Sequence, residues 1–519
     1  MSLGELVREW MRALPYCLVI LLLLVSCNSM AGDWEFRPRL GLGTILTDNL
    51  NQNPPGDTES ALVGEVTPGF SLRRQGGRLG VNLDSSLQTL YAVPQGDSNF
   101  NPSVRGVANS ELYRDHFFLD ASAYVDRVAT NSNRPQGQYS LMGQNSTIAS
   151  AYTLNPYLLN NFNDYATSRV SYNFSNVLFN NSSNNTGNVS NGQIHQFSAN
   201  LANGNRFPVL SWQLNYSYYY QNQQQQGQND KGQSVAAQVG YPLSRAWTLL
   251  AKGGYESGQV TDINTKNGTY WEVGASWTPN RYLEVTALQG INSSEYSLRL
   301  NPTIRTRFEV SRRKLDVGVN PGTSWGGSLS HNTQFSTWSV SYSEQVTNAQ
   351  QQFATQQLTD DQGNFITQQG PPSTLTDQNY KSKNLQASIG YNRGRSTFTI
   401  NAYNQWQEYQ NDIYDEHIYG GGASWTRLLA PRTRSILQGT WYRIDSSQAN
   451  QGDSNFWVTL IGLEHTFTPN ASGQLRYTHF NNNGNNGNNG NNGNNGNNEN
   501  FQNNDYRENR IEMNLLMNF

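Results

Sequence analysis

The sequence predicts an all-β protein built as a single large antiparallel β-barrel that crosses a membrane with its strands. Three observations support this fold class. Apolar and polar residues alternate along nearly every segment, short turns alternate with long Asn- and Gln-rich connections, and no apolar run after residue 31 is long enough for a membrane helix. The alternating segments predict about 22 strands, within a range of roughly 18 to 24, and an even number is expected.

The first element is a leader that exports the chain. Residues 1–31 are organised as a signal peptide, with arginines followed by an apolar core from Leu18 to Val25 and then by small residues. Cleavage after Ala31 suits an ordinary signal peptidase, whereas the residues up to Cys27 look like a lipoprotein box, and both alternatives stay open. Because both cysteines, Cys17 and Cys27, lie in the leader, the mature chain is expected to contain no disulfide.

Residues 32–519 are predicted to form the barrel. The chain has 36% hydrophobic and 12% aromatic residues and a net charge of −3, and its mean hydropathy is −0.68. Disordered chains combine low hydropathy with high net charge and few aromatic residues, so disorder fits poorly. A transmembrane barrel has this composition because only alternate strand residues face lipid. The near-neutral charge gives no support for nucleic acid as a partner.

The first predicted strand begins near Phe36, with apolar residues on one face and Arg37 and Arg39 on the other. Later strands repeat this alternation, and Trp and Tyr residues recur near strand ends, which predicts aromatic girdles at two membrane interfaces. Short connections rich in Pro, Asn and Gly have the chemistry of tight turns and are expected on the periplasmic side. The segment from Gly290 to Asn332 leaves the strand register open.

The long connections are Asn- and Gln-rich and are predicted to be outer loops, on the side of the membrane opposite the periplasmic turns. They include the stretch from Gln350 to Lys381. Residues 481–500, with glycine at every third position, are predicted to form a low-complexity surface loop.

The chain ends on a strand with one apolar face, on which Leu515, Met517 and Phe519 lie together because strand residues alternate. An exposed apolar edge pairs with other chains, and closing a barrel removes that edge. The ending resembles the terminal strand of Gram-negative outer-membrane β-barrels, whose final aromatic residue is read by the barrel-insertion machinery. We therefore expect the last strand to pair with the first.

The sequence contains no motif for catalysis or metal binding. Its six histidines are scattered without the spacing of a metal site, and no serine stands in a nucleophile elbow. The chain is therefore predicted to be neither an enzyme nor the holder of a metal or cofactor. Proteases built on scattered Asp and His residues stay open as an alternative.

One local charge feature stands out. Arg299, Arg305 and Arg307 share one parity, and apolar residues take the other. If the apolar face meets lipid, these arginines point inward and, together with Arg37 and Arg39, line the lumen with positive charge that favours anions. The alternative is that lumenal acids such as Glu309 or Glu512 pair with the arginines, which would stiffen the wall and select nothing. Both interpretations stay open. The candidate residues for lumenal charge are Arg299, Arg305, Arg307, Arg37 and Arg39. The candidate residues for barrel assembly are Phe519, Met517 and Leu515.

Five short segments resemble a bacterial family. They are Asp33 to Arg39, Leu46 to Leu50, Val66 to Phe70, Thr153 to Tyr157 and Thr337 to Glu344. These segments are similar to those of the PEP-CTERM system-associated outer-membrane proteins, which are encoded near exosortase and exopolysaccharide genes. The resemblance covers nearly the whole mature chain. It implies an outer-membrane barrel linked to surface polysaccharide or protein display, without an established substrate.

Together these observations predict an outer-membrane pore or conduit for export of exopolysaccharide or PEP-CTERM proteins. The expected partners are outer-membrane lipid, the barrel-insertion machinery and either an anionic polysaccharide or a surface protein. One alternative is a barrel that anchors or assembles a surface complex and conducts nothing. Another is a secreted all-β adhesin or lectin.

Overall fold

The described residues form 24 antiparallel strands that close into a barrel. The computed structural model describes residues 34–130, 140–143, 145–180, 189–207, 209–223, 229–359, 365, 374–409, 415–446, 453–484 and 505–519, so the predicted signal peptide lies outside it. The strands are β1 (Trp34–Thr47), β2 (Ala61–Gln75), β3 (Leu79–Val93), β4 (Ser98–Tyr113), β5 (Phe117–Ala129), β6 (Ser146–Asn161), β7 (Ala166–Phe179), β8 (Gly192–Asn203), β9 (Ser211–Gln223), β10 (Asn229–Pro242), β11 (Trp247–Gln259), β12 (Gly268–Asn280), β13 (Leu283–Ile291), β14 (Ser293–Thr303), β15 (Thr306–Leu315), β16 (Gly322–Asn332), β17 (Ser336–Thr347), β18 (Tyr380–Arg393), β19 (Ser396–Glu408), β20 (Glu416–Ala430), β21 (Thr433–Ser446), β22 (Ser454–Thr468), β23 (Ala471–Gly484) and β24 (Tyr506–Asn518). A short helix, α1 (Ala349–Ala354), lies between β17 and β18.

The last strand closes the barrel by pairing with the first. Leu515 of β24 lies opposite Leu42 of β1. Along the rest of the wall, each strand pairs with the strands that precede and follow it in sequence. At the end of the chain the backbone N–H of Phe519 donates to the carbonyl of Pro38 across 2.9 Å. The predicted pairing of the last strand with the first is therefore confirmed, and the sheet has no free edge.

The barrel has 24 strands rather than about 22, within the wider predicted range. The region of doubtful register, residues 290–332, contains the end of β13 and all of β14, β15 and β16. Asn292 alone, with a φ of 60°, separates β13 from β14. Ile304 and Arg305 alone separate β14 from β15. Hairpins joined by one or two residues contain no polar stretch that would separate two strands in the sequence pattern.

The two ends of the barrel carry different connections. At one end, the short-turn end, eleven connections of at most seven residues join the strands, and β1 begins and β24 ends there. The opposite end, the loop end, carries the long connections. The predicted surface loop at 481–500 begins later than expected, because Asn481–Gly484 belong to β23 and residues 485–500 lie outside the described part of the chain. No helix among the described residues is long and apolar enough to cross a membrane.

The outer surface carries an apolar belt between two bands of aromatic residues. Near the short-turn end the rings of Trp247 and Trp277 lie 5.9 Å apart, and near the loop end those of Trp441 and Trp457 lie 5.8 Å apart. Between the bands, outward-facing aliphatic side chains such as Val273 are about half exposed, at 52%. In water such a belt would be unfavourable, whereas in hydrocarbon it is the ordinary exterior of a barrel.

Between β10 and β17 the wall curls inward and forms a side lobe. At its loop end Lys266 and Gly318, from two different connections, exchange backbone hydrogen bonds of 3.0 and 2.6 Å. The lobe closes where the Asn379 amide, just before β18, donates to the Asp230 carboxylate of β10 across 2.7 Å. The start of β18 therefore meets the start of β10, although the two strands are far apart in the wall.

Candidate functional site: the lumen and its inward segment

The lumen is tightly packed near the loop end, by apolar clusters and buried polar groups, but is polar and exposed near the short-turn end. Three clusters of buried side chains line the loop-end half. They comprise Ile45, Leu50, Ala61, Val63, Leu90, Ala92 and Leu141 (the β1–β3 cluster), Tyr124, Ala149, Ala151, Val177, Phe179, Val189, Ala349, Leu358 and Leu375 (the β5–β7 cluster), and Ile418, Tyr442, Ile444, Phe456, Val458, Phe480 and Tyr506 (the β20–β24 cluster). Near the short-turn end the inward residues are charged and hydrated, as with Arg434, whose side chain is 49% exposed beside Glu464.

The described residues of the connection between β17 and β18 fold into the lumen. This inward segment, residues 348–379, begins with α1, which packs against β6, β7 and β8. The ring of Phe353 lies 5.6 Å from that of Phe179 and 6.0 Å from that of Tyr124, which lies five residues inside the loop end of β5. The connection lies at the same end as the other long connections, and the sequence analysis did not predict that its described residues fold inward. The segment is mainly polar, and burying its apolar side chains Phe353, Leu358 and Leu375 favours the inward position.

The start of the inward segment is held by its side-chain amides. Asn348 caps α1 by accepting from the N–H of Gln351 across 3.0 Å, and its amide donates to Gln221 of β9 across 3.3 Å. Gln350 donates to the backbone carbonyl of Ser190, before β8, across 2.8 Å. Asn348, Gln350, Gln221 and Ser190 are all fully buried. Buried amides without partners are costly, so these bonds fix the position of the segment.

The end of the inward segment is held in the same way. The Asp377 carboxylate accepts from the backbone N–H of Ser190 across 2.8 Å, and its backbone carbonyl accepts from the Gln223 amide across 3.0 Å. Asn379 donates to Asp230 and to the carbonyl of Thr261, across 2.7 and 3.0 Å. Both ends of the segment are therefore fastened to the loop ends of β8 to β11.

Two residues shortly before the end of the segment bond to two different parts of the barrel wall. The backbone N–H of Leu375 donates to the carbonyl of Thr130, after β5, across 3.1 Å. The neighbouring Thr374 hydroxyl donates to the carboxylate of Glu416, the first residue of β20, across 3.3 Å. Because β5 and β20 lie on opposite sides of the main lumen, these two residues join its walls. Residues 374 and 375 therefore bridge β5 and β20 at the loop end of the lumen.

Inside the side lobe lies a buried charge cluster that the sequence pattern did not reveal. The Lys252 ammonium lies 2.7 Å from the carboxylate of Glu295 and 3.4 Å from that of Glu272. Glu272 is fully buried, and its second oxygen accepts from the Ser293 hydroxyl across 2.8 Å. The curled wall brings β11, β12 and β14 together, which strand parity alone does not predict.

Most lumenal basic residues are neutralised by nearby carboxylates. The pairs are Arg39 with Asp84, Arg105 with Asp126, Lys252 with Glu295, Arg299 with Glu284 and Glu309, Arg434 with Glu464, and Arg510 with Glu508. The Arg299 guanidinium lies 2.9 Å from Glu284 and 3.4 Å from Glu309. Arg37 pairs with Glu35 at the start of β1. Three of the five arginines proposed to line the lumen are therefore flanked by acids, and Glu309 is one of the partners that the sequence suggested.

Arg305 and Arg307 have a different environment. Arg305 lies in the turn between β14 and β15, and Arg307 follows it on the inward parity. Both line a pocket of about 410 Å³ together with Ser330 and Asn332. Neither forms an ion pair with the described residues. The structure thus separates these two from Arg299, although the sequence grouped all three.

No group of three or more His, Cys, Asp or Glu residues in the described part of the chain is arranged to hold a metal ion. The histidines bond to neighbouring polar groups instead. His195, for example, lies 2.7 Å from the Tyr172 hydroxyl.

No protein-family model matches the sequence, and no curated protein is significantly similar to it. Solved structures do match. The iron transporter FrpB from Neisseria meningitidis has a TM-score of 0.45 at 9% identity, over 93% of this chain and 81% of that one. The siderophore receptor PirA from Acinetobacter baumannii has a TM-score of 0.44 at 8% identity, over 93% and 80%. The ferric enterobactin receptor PfeA from Pseudomonas aeruginosa, in complex with BCV-L6, has a TM-score of 0.44 at 9% identity, over 93% and 81%.

Proposed function

We propose that the chain is an outer-membrane β-barrel that acts as a gated conduit in the export of cell-surface exopolysaccharide or PEP-CTERM proteins. The observation that carries this proposal is a closed barrel whose lumen is polar at the short-turn end and packed at the loop end, where the described residues of the β17–β18 connection fold in together with Leu50 and Leu141 of two other connections. With short turns in the periplasm, the polar half is a vestibule open to the periplasm. Opening toward the cell surface then requires the inward segment to move.

The outer surface supports the membrane position. Its apolar belt lies between two aromatic bands, as in barrels that face hydrocarbon on the outside. Ion pairs on the outer face, such as Lys381 with Glu344 and Arg443 with Asp453, lie at the loop end beyond the belt. A secreted adhesin or lectin would have no reason to expose this belt to water.

The link to polysaccharide or PEP-CTERM export rests on the family resemblance. Its segments fall mainly in β1, β2, β6 and β17, whereas Asp48 to Leu50 lie in the β1–β2 connection and Asp33 lies outside the described residues. They therefore identify no substrate-binding site. We therefore propose only the class of cargo. It is an anionic polysaccharide or a surface protein that leaves through the vestibule. Assembly would use the barrel-insertion machinery through Phe519.

The packed loop-end half of the lumen favours a second candidate function. If the three apolar clusters never separate, the barrel is a non-conducting scaffold that anchors or assembles a surface complex. The two functions differ in one respect, namely whether the inward segment leaves its site while the wall remains folded.

Conductance in planar bilayers tests the proposal. Thr347 and Tyr380 are register partners, so replacing residues 348–379 by Asn-Gly joins β17 and β18 through a two-residue hairpin turn. This variant should conduct steadily, whereas the parent should open rarely. The matched control lacks residues 485–504, between β23 and β24, and should behave like the parent.

Gel mobility with and without boiling shows whether each protein has folded as a barrel. A folded variant without the inward segment that still fails to conduct would support the scaffold. A parent that shows no heat-dependent mobility and stays out of bilayers would contradict the membrane position itself.

A further inference from the structure

Charge is segregated between the two ends of the barrel. Eight of the eleven short turns contain an arginine, namely Arg78, Arg114, Arg206, Arg245, Arg281, Arg305, Arg395 and Arg432. The same turns contain two aspartates, Asp115 and Asp164, and neither lysine nor glutamate. The twelve connections at the loop end contain fourteen carboxylates and two basic residues. The short-turn end is therefore a positive ring on a chain whose net charge is negative.

Several arginines of this end rest on exposed aromatic rings. Arg206 lies 4.5 Å from the ring centre of Tyr165, and Arg281 lies 4.8 Å from that of Tyr282. Arg393, the last residue of β18, lies 5.8 Å from the ring centre of Phe335. The three rings are 41 to 48% exposed. Each pair thus presents a cation and an aromatic face together on the surface.

Exposed apolar residues accompany the same turns. Ile304, next to Arg305, is fully exposed, and Leu243, two residues before Arg245, is 59% exposed. A turn that stood in open water would gain nothing from such side chains. Aromatic and aliphatic residues beside cations are typical of the layer where lipid headgroups meet hydrocarbon.

We propose that the arginines of the short-turn end form a ring that binds the phosphate headgroups of anionic phospholipids in the adjoining leaflet. Guanidinium groups bind phosphate through two parallel hydrogen bonds and lose little hydration in doing so. The aromatic rings beneath Arg206, Arg281 and Arg393 hold these groups at the depth of the headgroups. The inference rests on the proposed membrane position but does not depend on whether the lumen conducts.

The position of the arginines favours lipid over a soluble acidic protein. Arg206, Arg281 and Arg393 stack on exposed rings at the edge of the outer belt, where lipid is already the neighbour in the proposed orientation. A soluble partner would instead have to cover the exposed Ile304 and Leu243 on separate turns around the rim. Lipid molecules bind one at a time, so no single continuous interface is needed.

The test compares phosphatidylglycerol with phosphatidylcholine. The purified barrel is placed in detergent micelles containing both lipids at equal concentration, and the retained lipids are counted by native mass spectrometry. Arg206→Gln/Arg281→Gln/Arg393→Gln removes three charges from the ring. The matched control, Arg312→Gln/Lys383→Gln/Arg443→Gln, removes three charges at the loop end, where Arg312 lies about 6 Å from the exposed rings of Tyr296 and Trp325.

The parent should retain phosphatidylglycerol preferentially, and 1 M salt should weaken this preference by screening. Each arginine near a charged surface contributes roughly fivefold in affinity, so the ring variant should lose at least about tenfold of the preference while the control keeps it. Equal retention of both lipids by the parent, or an unchanged preference in the ring variant, would overturn the inference. If the parent does not show the gel shift of a folded barrel, the proposed membrane position fails instead.

Discussion

The side-chain amide of Gln350 donates a hydrogen bond to the backbone carbonyl of Ser190 across 2.8 Å, and this contact joins the inward segment to the wall of the barrel. The two residues are 160 positions apart in sequence and belong to different connections. Gln350 also donates to the carboxylate of Asp377, at the other end of the segment. The buried side chain of Gln350 therefore joins the two ends of the segment to each other and to Ser190, a residue before β8 that both ends contact. The segment is thus a folded part of the structure and not a loosely placed loop.

The buried charge cluster of the side lobe predicts a large effect on stability. Lys252→Met leaves the carboxylate of Glu272 fully buried with only the Ser293 hydroxyl to bond it. Removing one partner of a buried ion pair costs roughly 3–5 kcal/mol, so the midpoint of urea unfolding in liposomes should fall markedly. The control is Lys383→Met, whose pair with Glu408 lies on the outer surface and should contribute no more than about 1 kcal/mol. Equal midpoints for the two variants would contradict the closed lobe.

Barrel assembly depends on the last residue. Phe519 is 71% exposed, and its backbone bonds to Pro38, so its side chain is available to the insertion machinery while its backbone closes the sheet. Deleting Phe519 should lower the fraction of heat-modifiable protein in cells. Tyr113→Ala removes a side chain of similar exposure, 67%, from a strand end elsewhere and should leave this fraction unchanged. If the deletion assembles as well as the parent, the terminus is not an assembly signal.

Ion selectivity should come from Arg305 and Arg307 and not from Arg299. In the conducting variant that lacks residues 348–379, Arg305→Gln/Arg307→Gln should shift the reversal potential toward cations, because fixed charge without a carboxylate partner attracts counter-ions. The control, Arg299→Gln/Glu309→Gln, removes a neutral pair and should leave the reversal potential in place. Both measurements are made at low salt, where screening is weak. A reversal potential that responds only to the second variant would contradict this assignment.

The wall was predictable from sequence because strand geometry is local. Residues two positions apart share a face, so the parity of Leu515, Met517 and Phe519 and that of Arg37 and Arg39 follow from the chain alone. Closure also follows, since an apolar terminal strand needs a partner. The strand count was harder, because Asn292 joins two strands without any polar stretch.

The interior was not predictable in the same way. Parity places Arg299 inside, but only the pairing of β13, β14 and β15 brings Glu284 and Glu309 to it. The inward segment shows a weak signal, a few apolar residues such as Phe353, Leu358 and Leu375 in a mainly polar connection. This signal does not tell which wall will bury them. The curl that unites Lys252, Glu272 and Glu295 depends on contacts between distant strands and leaves no periodic trace.

The arginines of the short turns became meaningful only after the strands were assigned. In the sequence they are isolated residues spread over some 350 positions, from Arg78 to Arg432. The topology brings every second connection to the same end, and the isolated charges then become a ring. Tyr165 and Phe335 lie in short turns that neighbour Arg206 and Arg393, and these arginines stack on their rings. Sequence alone could not pair them before the strand order was known.

A redox-controlled lock tests most directly whether the inward segment closes the conduit. A Cβ atom on Gly192 would lie 3.5 Å from the Cβ of Gln350, which suits a disulfide, and the two native cysteines, Cys17 and Cys27, lie in the predicted leader. In Gly192→Cys/Gln350→Cys the reduced protein lacks both hydrogen bonds of Gln350, whereas the oxidised protein has its segment fixed to β8. The single variant Gln350→Cys controls for the lost amide. Single-channel recordings should show frequent openings of the reduced double variant, almost none after oxidation, and no redox effect on the single variant. Equal conductance of the oxidised and reduced forms, with the disulfide confirmed by mass, would contradict the gate.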